Sequence, residues 1–337
     1  MNSAGAAVGM DIWTEVVKHP VSSAVLGAWE ALAKNPLEAN PFLSPAYLGL
    51  LAQHMAHDAD WRLALVWSDA GRTALIGLAP VMSTRGGSAL KRHSAPHRHR
   101  MLPLGHPLLS DKHGLARMAL SAFLETMGNQ IALDLTAITR AGPTAQLLKS
   151  LCQELGWVHD TMKDAPTTHG LHLLNAPQDT HEAHIKLTTS VDDIRDGMEH
   201  LLALAGTAKS RIADDDAATF TFLRAMTREM ARREGVVLAQ IDTQTTRAVA
   251  LALRHGTQSW IVRMDGPGAS DPEIQARLCR AIGQVTGAPP YAIAKPRLTG
   301  LGCAPLGTES WNIIKARHRP AGRSMMLGAR RVAASIF

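Results

Sequence analysis

The order of the predicted helices and strands repeats along this 337-residue chain, and the repetition restricts its fold more than any other feature. In each half, two helices precede a strand hairpin or meander, and a further helix and strand follow. Alternating strands and helices favour a mixed sheet covered by helices, and a repeated order of elements indicates two similar units. The sequence therefore predicts an α/β protein (an α+β mixed sheet) with domains at 1–180 and 181–320 and a basic amphipathic tail at 321–337.

Local patterns define the elements of the first half. Ser22 and Ser23 are candidates for a helix cap, and the apolar residues after them are predicted to share one helical face: Val25, Leu26, Trp29 and Leu32. Ser44-Pro45 combines a cap with a proline at the first helical position, which predicts a second helix. Alternating residues at 61–67 and an apolar return at 73–83 predict a β-hairpin.

The second half has its own series of signals. Helices are predicted at 194–202 and 217–233, and three strand-like runs follow them. The next helix is predicted to end at Gly287, because glycine commonly closes a helix. The last strand is predicted at 310–316, as the terminal strand of this second unit.

Composition excludes several classes of protein. Apolar residues make up 46% of the chain and charged residues 19%, which is enough to form a sizeable core. Three scattered cysteines argue against a disulfide framework and against a four-cysteine zinc site. The chain contains neither a secretion signal nor the roughly 20 consecutive apolar residues of a membrane span. These features predict a cytoplasmic protein. The basic tail suggests an alternative location, at the periphery of the inner membrane.

The net charge of +6 is concentrated in two stretches without acidic residues. One runs from Ala70 to Ser110 and includes a histidine-rich basic loop at 85–106, and the other follows Glu309. Positive potential of this kind attracts phosphates, anionic lipid or acidic polymers alike. A loop for anionic partners fits 85–106 better than a zinc site, because no cysteine or carboxylate is near its histidines.

The basic tail and the low aromatic content indicate which classes of partner the protein could bind. The tail suits a helix at an anionic membrane surface, docking on an envelope protein, or a disordered end. Aromatic residues make up only 4% of the chain and are not interleaved with basic ones, which argues against nucleic-acid binding.

Motifs in the first half carry a family resemblance. They are the Asn40-Pro41-Phe42-Leu43-Ser44-Pro45 run, the end of the hairpin at Leu78-Ala79-Pro80-Val81, and Pro103-Leu104-Gly105-His106-Pro107-Leu108. In these motifs the chain resembles the CelD/BioF2-like acyltransferase family, which is related to the FemABX proteins. The resemblance implies two tandem GNAT-like (acyl-CoA N-acyltransferase) domains. It also implies transfer of an acyl group from a thioester donor, acyl-CoA, to an amine or hydroxyl of a cell-surface glycan precursor.

The second half departs from this family pattern. Met226-Thr227-Arg228-Glu229-Met230 stands where the family has a histidine and an Arg-Trp pair, and Ala269-Ser270-Asp271-Pro272 replaces its Ser-Pro-Gly helix start. The acidic residue expected after Tyr291 is missing. These losses support a second hypothesis, a catalytically silent GNAT-like scaffold that docks on an envelope or polysaccharide-export assembly.

A glycine turn in the second half is the candidate cradle for the donor's phosphates. Gly266, Gly268 and Ala269 precede a helix, and amides at a helix N-terminus bind phosphate. Pro267 removes one donor, and Asp265 and Asp271 add negative charge. An ordinary strand-to-helix turn is therefore the alternative interpretation.

Five further residues are candidates for the chemistry. Glu229 is a candidate general base, and Tyr291 a candidate acid for the leaving thiolate. Lys209, Arg211 and Arg228 are candidates for binding an anionic acceptor. The structural alternatives are a solvated charged helix face for Glu229 and Arg228, a core aromatic for Tyr291 and a solvated connector for Lys209 and Arg211. No metal site is predicted.

Overall fold

The computed structural model describes residues 12–55, 61–84, 92–94, 101–127, 132–163, 185–207, 217–243, 247–292 and 308–314. The N-terminal lobe has four helices and seven strands in these ranges. Its helices are α1 (Ser23–Lys34), α2 (Leu50–Met55), α3 (His113–Met127) and α4 (Pro143–Glu154). Its strands are β1 (Trp13–Lys18), β2 (Trp61–Trp67), β3 (Leu75–Thr84), β4 (Arg92–Ser94), β5 (Leu108–Leu109), β6 (Ala132–Thr139) and β7 (Val158–Lys163).

The C-terminal lobe follows the same order with fewer elements. Its helices are α5 (Val191–Thr207), α6 (Ala217–Ala231) and α7 (Pro272–Thr286). Its strands are β8 (Ile185–Thr188), β9 (Val236–Asp242), β10 (Arg247–His255), β11 (Gln258–Asp265) and β12 (Tyr291–Ala292). The last described strand of the chain is β13 (Thr308–Ile314).

Each lobe is built on its own sheet. The C-terminal sheet has the order β12-β11-β10-β9-β8, with β12 parallel to β11 and the other pairs antiparallel. The N-terminal sheet has the order β1-β2-β3-β4-β6-β13-β7, with β5 also paired to β3. The fold is thus a mixed α/β arrangement, as the sequence predicts.

The position of β13 differs from the prediction. The sequence assigns this strand to the second unit, but it pairs antiparallel with both β6 and β7 in the N-terminal sheet. Periodicity identifies a strand without identifying its neighbours, so this partner choice is invisible in the local pattern.

Alternation along the strands distributes side chains among three cores. In β10, Val249, Leu251 and Leu253 face a central core, whereas Ala248, Ala250 and Ala252 face α7. The small alanines leave room for the helix to approach the sheet, as the two faces of a strand are covered separately. In the N-terminal lobe the outer core, which includes Ala64 and Val66 of β2, packs against α3 and α4.

The central core is shared by the two lobes. Tyr47 makes edge-to-face contacts with Phe42, at a centroid distance of 5.2 Å, and with Phe222 of α6, at 5.3 Å. Trp29 of α1 is completely buried there, and its indole N–H donates to the Leu43 carbonyl over 2.8 Å. Buried aromatic contacts of this kind join the lobes through a hydrophobic interior.

Some local predictions are confirmed and others are wrong. Ser22 does cap α1, with its hydroxyl accepting from the Val25 N–H, but Leu26 is 40% exposed and not part of the buried face. The second predicted helix begins as a π-helical turn at Pro45–Gly49, and the Ser44 hydroxyl donates to the Pro41 carbonyl instead of capping it. Cys279 is disulfide-bonded, whereas Cys152 is free and buried.

Candidate functional site

The end of β11 is distorted next to a buried charged pair. Leu251 of β10 pairs with Arg263, but Ala252 pairs with Ile261, so Val262 is the extra residue of a β-bulge. The bulge changes which face the later residues occupy: Ile261 and Met264 both pack towards α7, while Val262 packs against the central core.

Arg263 and Asp265 form an ion pair on this strand. Arg263 Nε donates to Asp265 Oδ2, and the two side chains are only 9% and 11% exposed. The guanidinium also lies over the ring of Phe220, 5.8 Å from its centroid, at the beginning of α6. Charges this deeply buried need a partner, and an Arg over an aromatic face gains a further cation–π attraction.

The glycine turn follows this pair directly. Gly266 has φ +121°, and a side chain there would collide with the Arg247 carbonyl of β10. Glycine is required at this position both by the backbone angle and by the close approach of another strand. The turn continues as a 3-10 segment at Pro267–Ser270, which leads into α7.

The amides of the turn bond within the turn itself. Ala269 N–H donates to the Gly266 carbonyl over 3.0 Å, and Asp271 N–H to the Gly268 carbonyl over 3.1 Å. Asp271 caps α7, with its carboxylate accepting from the Glu273 N–H over 2.8 Å. A carboxylate already occupies the favourable position at this helix N-terminus, and these residues do not fit a pyrophosphate as they stand.

Tyr291 lies on the neighbouring strand. It is opposite Trp260 in the parallel pair β11–β12, with a centroid distance of 5.9 Å between the rings. Trp260 is buried, and its indole N–H has no hydrogen-bond partner. Tyr291 is half-buried against the central core. Its strand partner Trp260 comes three residues before Arg263, which corresponds to about 10 Å along the strand.

Glu229 occupies a different setting. Its carboxylate forms ion pairs with Arg232 and Arg233, each at 3.0 Å, and Arg233 also binds Glu30 of α1 at 2.9 Å. The structure therefore places Glu229 in a charged network that links α6 to α1. Arg228 is exposed on the same helix, while Lys209 and Arg211 lie outside the described residues.

The two basic stretches are described only in part. Within 85–106, residues 92–94 form β4, between β3 and β6, and residues 101–106 are buried or half-buried. The other residues of that loop and the tail at 321–337 lie outside the described ranges.

The sequence analysis did not propose Arg263 and Asp265 as site residues. The signal that could have found them is the run Trp260-Ile261-Val262-Arg263-Met264-Asp265, in which two charges interrupt an apolar strand. Charges in such a strand are expected to be paired or functional, because buried charges without a partner are costly.

The described residues contain neither a membrane-spanning helix nor a cluster of metal ligands. No helix in the described ranges combines the length and apolar character that crossing a bilayer requires. Among the same residues, no group of three or more His, Cys, Asp or Glu side chains is arranged to hold a metal ion.

Comparison with known proteins gives distant structural similarity alone. No family model and no curated protein matches the chain, so the CelD/BioF2-like resemblance stays a prediction. A conserved protein of unknown function from Bacteroides thetaiotaomicron has a TM-score of 0.50 at 8% identity, over 89% of this chain and 100% of that one. This likeness concerns the fold.

Two further solved structures have lower scores. A tandem GNAT protein from the clavulanic acid biosynthesis pathway has a TM-score of 0.38 at 10% identity, over 90% of this chain and 98% of that one. FemX has a TM-score of 0.42 at 10% identity, over 75% of this chain and 80% of its own.

Proposed function

We propose that this protein is a GNAT-type acyltransferase whose reaction centre lies at the end of β11 in the C-terminal lobe. The acyl donor is a thioester, with acyl-CoA as the expected cellular form, and the acceptor is an amine or hydroxyl of a surface-glycan precursor. The observation that carries the proposal is the buried Arg263–Asp265 pair beside the bulge at Val262.

A buried ion pair contributes little to stability compared with apolar residues of similar size. Paired charges at a distorted strand end are therefore better explained by chemistry than by packing, since groups with unusual environments concentrate at functional sites. Phe220 supports the guanidinium from the start of α6, which fixes its position relative to the carboxylate.

The pair supplies the two groups that acyl transfer requires. The acceptor lone pair forms a bond to the thioester carbonyl carbon, and the acceptor proton passes to the Asp265 carboxylate as general base. The Arg263 guanidinium stabilises the negative charge on the carbonyl oxygen. The carbon–sulfur bond then breaks, and the leaving thiolate takes a proton from the Tyr291 hydroxyl. Asp265 releases its proton to solvent and Tyr291 regains one from solvent, so that the acceptor proton is balanced by the proton on the released thiol.

This assignment gives the role of base to Asp265. Glu229 is held between two arginines on the α1–α6 surface, whereas Asp265 lies beside the bulge and the glycine turn. Because the turn residues do not fit a pyrophosphate, no step is derived through the phosphates of coenzyme A, and the proposal depends on the thioester carbonyl.

The experiment compares two donors that share one acyl group. Acetyl-CoA and the phosphate-free N-acetylcysteamine thioester, each at millimolar concentration, should both raise the melting temperature, since a ligand that binds the folded state stabilises it. Thiol release should then be measured with a panel of amino sugars as acceptors. Failure of both thioesters to shift the melting temperature would contradict the proposal.

A matched pair of variants tests the base. Asp265→Asn should reduce thiol release about 100- to 10,000-fold, the usual contribution of a general base. Asp242→Asn is the control, because Asp242 forms an exposed ion pair with Arg247 at 2.9 Å in the same sheet and should leave the rate unchanged. Equal rates for the two variants would remove Asp265 from the reaction.

The second candidate function is a catalytically silent scaffold that docks on an anionic envelope surface. It is favoured by the Asp271 cap and the internally bonded amides of the glycine turn. The full chain should then sediment with vesicles that contain phosphatidylglycerol, and a chain that ends at residue 320 should not. Equal sedimentation of the two chains would exclude docking through the tail.

A further inference from the structure

A cluster of buried polar side chains lies in the N-terminal lobe, away from the site at β11. We call it the Glu38–His106 cluster, and it consists of Glu38, Asn40, His106 and Thr144. His106 and Thr144 are completely buried and Asn40 is 2% exposed. Four of their polar atoms have no hydrogen-bond partner: Asn40 Oδ1, His106 Nδ1, His106 Nε2 and Thr144 Oγ1.

Glu38 connects the members of this cluster. Its Oε2 accepts from the Thr144 N–H over 3.1 Å, and its Oε1 lies 3.9 Å from His106 Nδ1. Gly142, the N-cap of α4, has no side chain to cap the helix, and a Cβ there would lie 2.7 Å from Glu38 Oε1. Glu38 therefore takes the place of the missing cap.

Three further contacts hold the segment 36–40 against the sheet. Leu37 N–H donates to the Leu109 carbonyl over 2.7 Å, Pro36 and Ser110 form an isolated β-bridge, and Asn40 Nδ2 donates to the His106 carbonyl over 2.9 Å. These bonds connect the segment to residues 106–110, while Glu38 connects it to α4.

Four unsatisfied atoms in one place indicate bound water. Buried polar groups in folded proteins almost always have a partner, and where protein groups do not supply it an ordered water usually does. A separation of 3.9 Å is too long for a direct hydrogen bond between Glu38 and His106 and suits a water placed between polar groups.

We propose that the Glu38–His106 cluster encloses ordered water that bridges Glu38 to His106, and that proton uptake by His106 releases the segment 36–40 from α4 and from residues 106–110. The cluster thus forms a pH-sensitive latch. It acts as the pH falls below about 6.5, where an exposed imidazole binds a proton more readily than the enclosed one.

The direction of the effect follows from the surroundings of His106. Burial lowers the pKa of His106, and the nearby Glu38 carboxylate and the Ala39 backbone oppose this shift without reversing it. The unfolded chain then binds the proton more readily than the folded one, so stability is complete above pH 6.5 and is lost as the pH falls below it. Glu38 is the charged group that faces the ring from segment 36–40, and α4 contributes the uncharged Thr144. Arg140, just before α4, is turned to Glu309 and the Thr308 carbonyl.

The latch is connected through α1 to the contact between the lobes. Segment 36–40 follows α1 directly, and α1 binds the C-terminal lobe at two points. The Ala33 carbonyl lies 2.9 Å from His255 Nε2 of β10, and Glu30 binds Arg233. Release of the segment therefore frees one end of the helix that carries these contacts.

Urea unfolding of the full chain from pH 8 to pH 5 tests the proton linkage. The folded-to-unfolded ratio of the wild type should fall relative to His106→Gln as the pH falls below 6.5, by up to about tenfold per pH unit, because at most one proton is linked to unfolding. His113→Gln is the matched control, since His113 is exposed at the start of α3 and its loss should leave the wild-type slope. An unchanged slope in His106→Gln would overturn the latch.

Thr144→Val tests for the water, because it replaces the hydroxyl with a methyl group in a side chain of nearly the same shape. If Thr144 Oγ1 bonds to ordered water, the methyl group breaks that bond and lowers the urea midpoint at pH 8. If the cluster is dry, the same change removes an unsatisfied hydroxyl and raises the midpoint, which would contradict the proposal. Should His106→Gln fail to fold, NMR titration of the wild-type His106 ring decides, and a midpoint at or above 6.5 would refute the latch.

Discussion

The two lobes follow a similar order of elements, with α4, β5 and β7 as additional elements of the N-terminal lobe, and they place their buried polar groups differently. In the C-terminal lobe, Arg263 and Asp265 lie on a bulged strand that runs into a glycine turn. In the N-terminal lobe, the buried groups lie between a loop and the start of α4, where Glu38 fills the helix N-terminus. Loops and strand ends, rather than the order of helices and strands that the lobes share, therefore decide where the buried polar groups lie.

The sheets differ as well. The N-terminal sheet has eight strands, one of which is β13 from the end of the described chain, and the C-terminal sheet has five. With β13 between β6 and β7, the N-terminal sheet is complete only when a distant part of the chain joins it. The N-terminal lobe therefore depends on residues that follow the C-terminal one.

The largest expected effect comes from breaking the buried pair of the C-terminal lobe. Arg263→Met removes the guanidinium that pairs with the buried Asp265 carboxylate and should lower the free energy of unfolding by about 3–5 kcal/mol. The double variant Arg263→Met/Asp265→Leu removes both charges and should recover most of that loss. Urea unfolding measures both values, and an unaltered single variant would mean that the pair has no special role in this lobe.

The second effect concerns the Gly266 turn of the C-terminal lobe. Gly266→Ala combines an unfavourable φ with a collision against β10, and it should cost about 3 kcal/mol. Gly256→Ala is the control at φ +58° with open space around it, and should cost about 1 kcal/mol. Thermal unfolding ranks the two variants, and equal losses would show that the approach to Arg247 is not tight.

The smallest effect concerns the charged contact between the lobes. Glu30→Gln removes the partner that Arg233 has on α1, and since the pair is exposed the loss should be under about 1 kcal/mol and disappear at high salt. Arg224→Gln, which breaks an exposed pair with Glu199 inside the C-terminal lobe, should cost a similar amount. A loss of several kcal/mol for Glu30→Gln alone would show that charge, rather than the shared core, holds the lobes together.

Much of the fold follows from local pattern. The hairpin β2–β3, the strands β9 to β11 and the helix α7 with Gly287 at φ +83° all lie where periodicity and glycine predict them. Strands β1, β7 and β8 were not predicted, because runs of four to six residues such as Trp13–Lys18 are short for periodicity to identify a strand. Such edge strands are formed by their pairing partners more than by their own pattern.

The candidate site could be predicted only in part. The glycine turn and Tyr291 were identified from sequence, and both lie beside β11. The phase change at Val262, which places Arg263 over Phe220, depends on a one-residue shift between β10 and β11. No residue type signals that shift, because a bulge is defined by the partner strand.

By itself, the sequence determined the order of the elements, the apolar faces and the turns, since these depend on spacing and on the backbone freedom of glycine and proline. The tertiary structure alone decided that β13 joins the first sheet, that Arg263 meets Asp265 and Phe220, and that Glu38 caps α4 next to His106. Each of these contacts joins residues whose distance in space is set by packing and strand register, and those are properties of the whole folded chain.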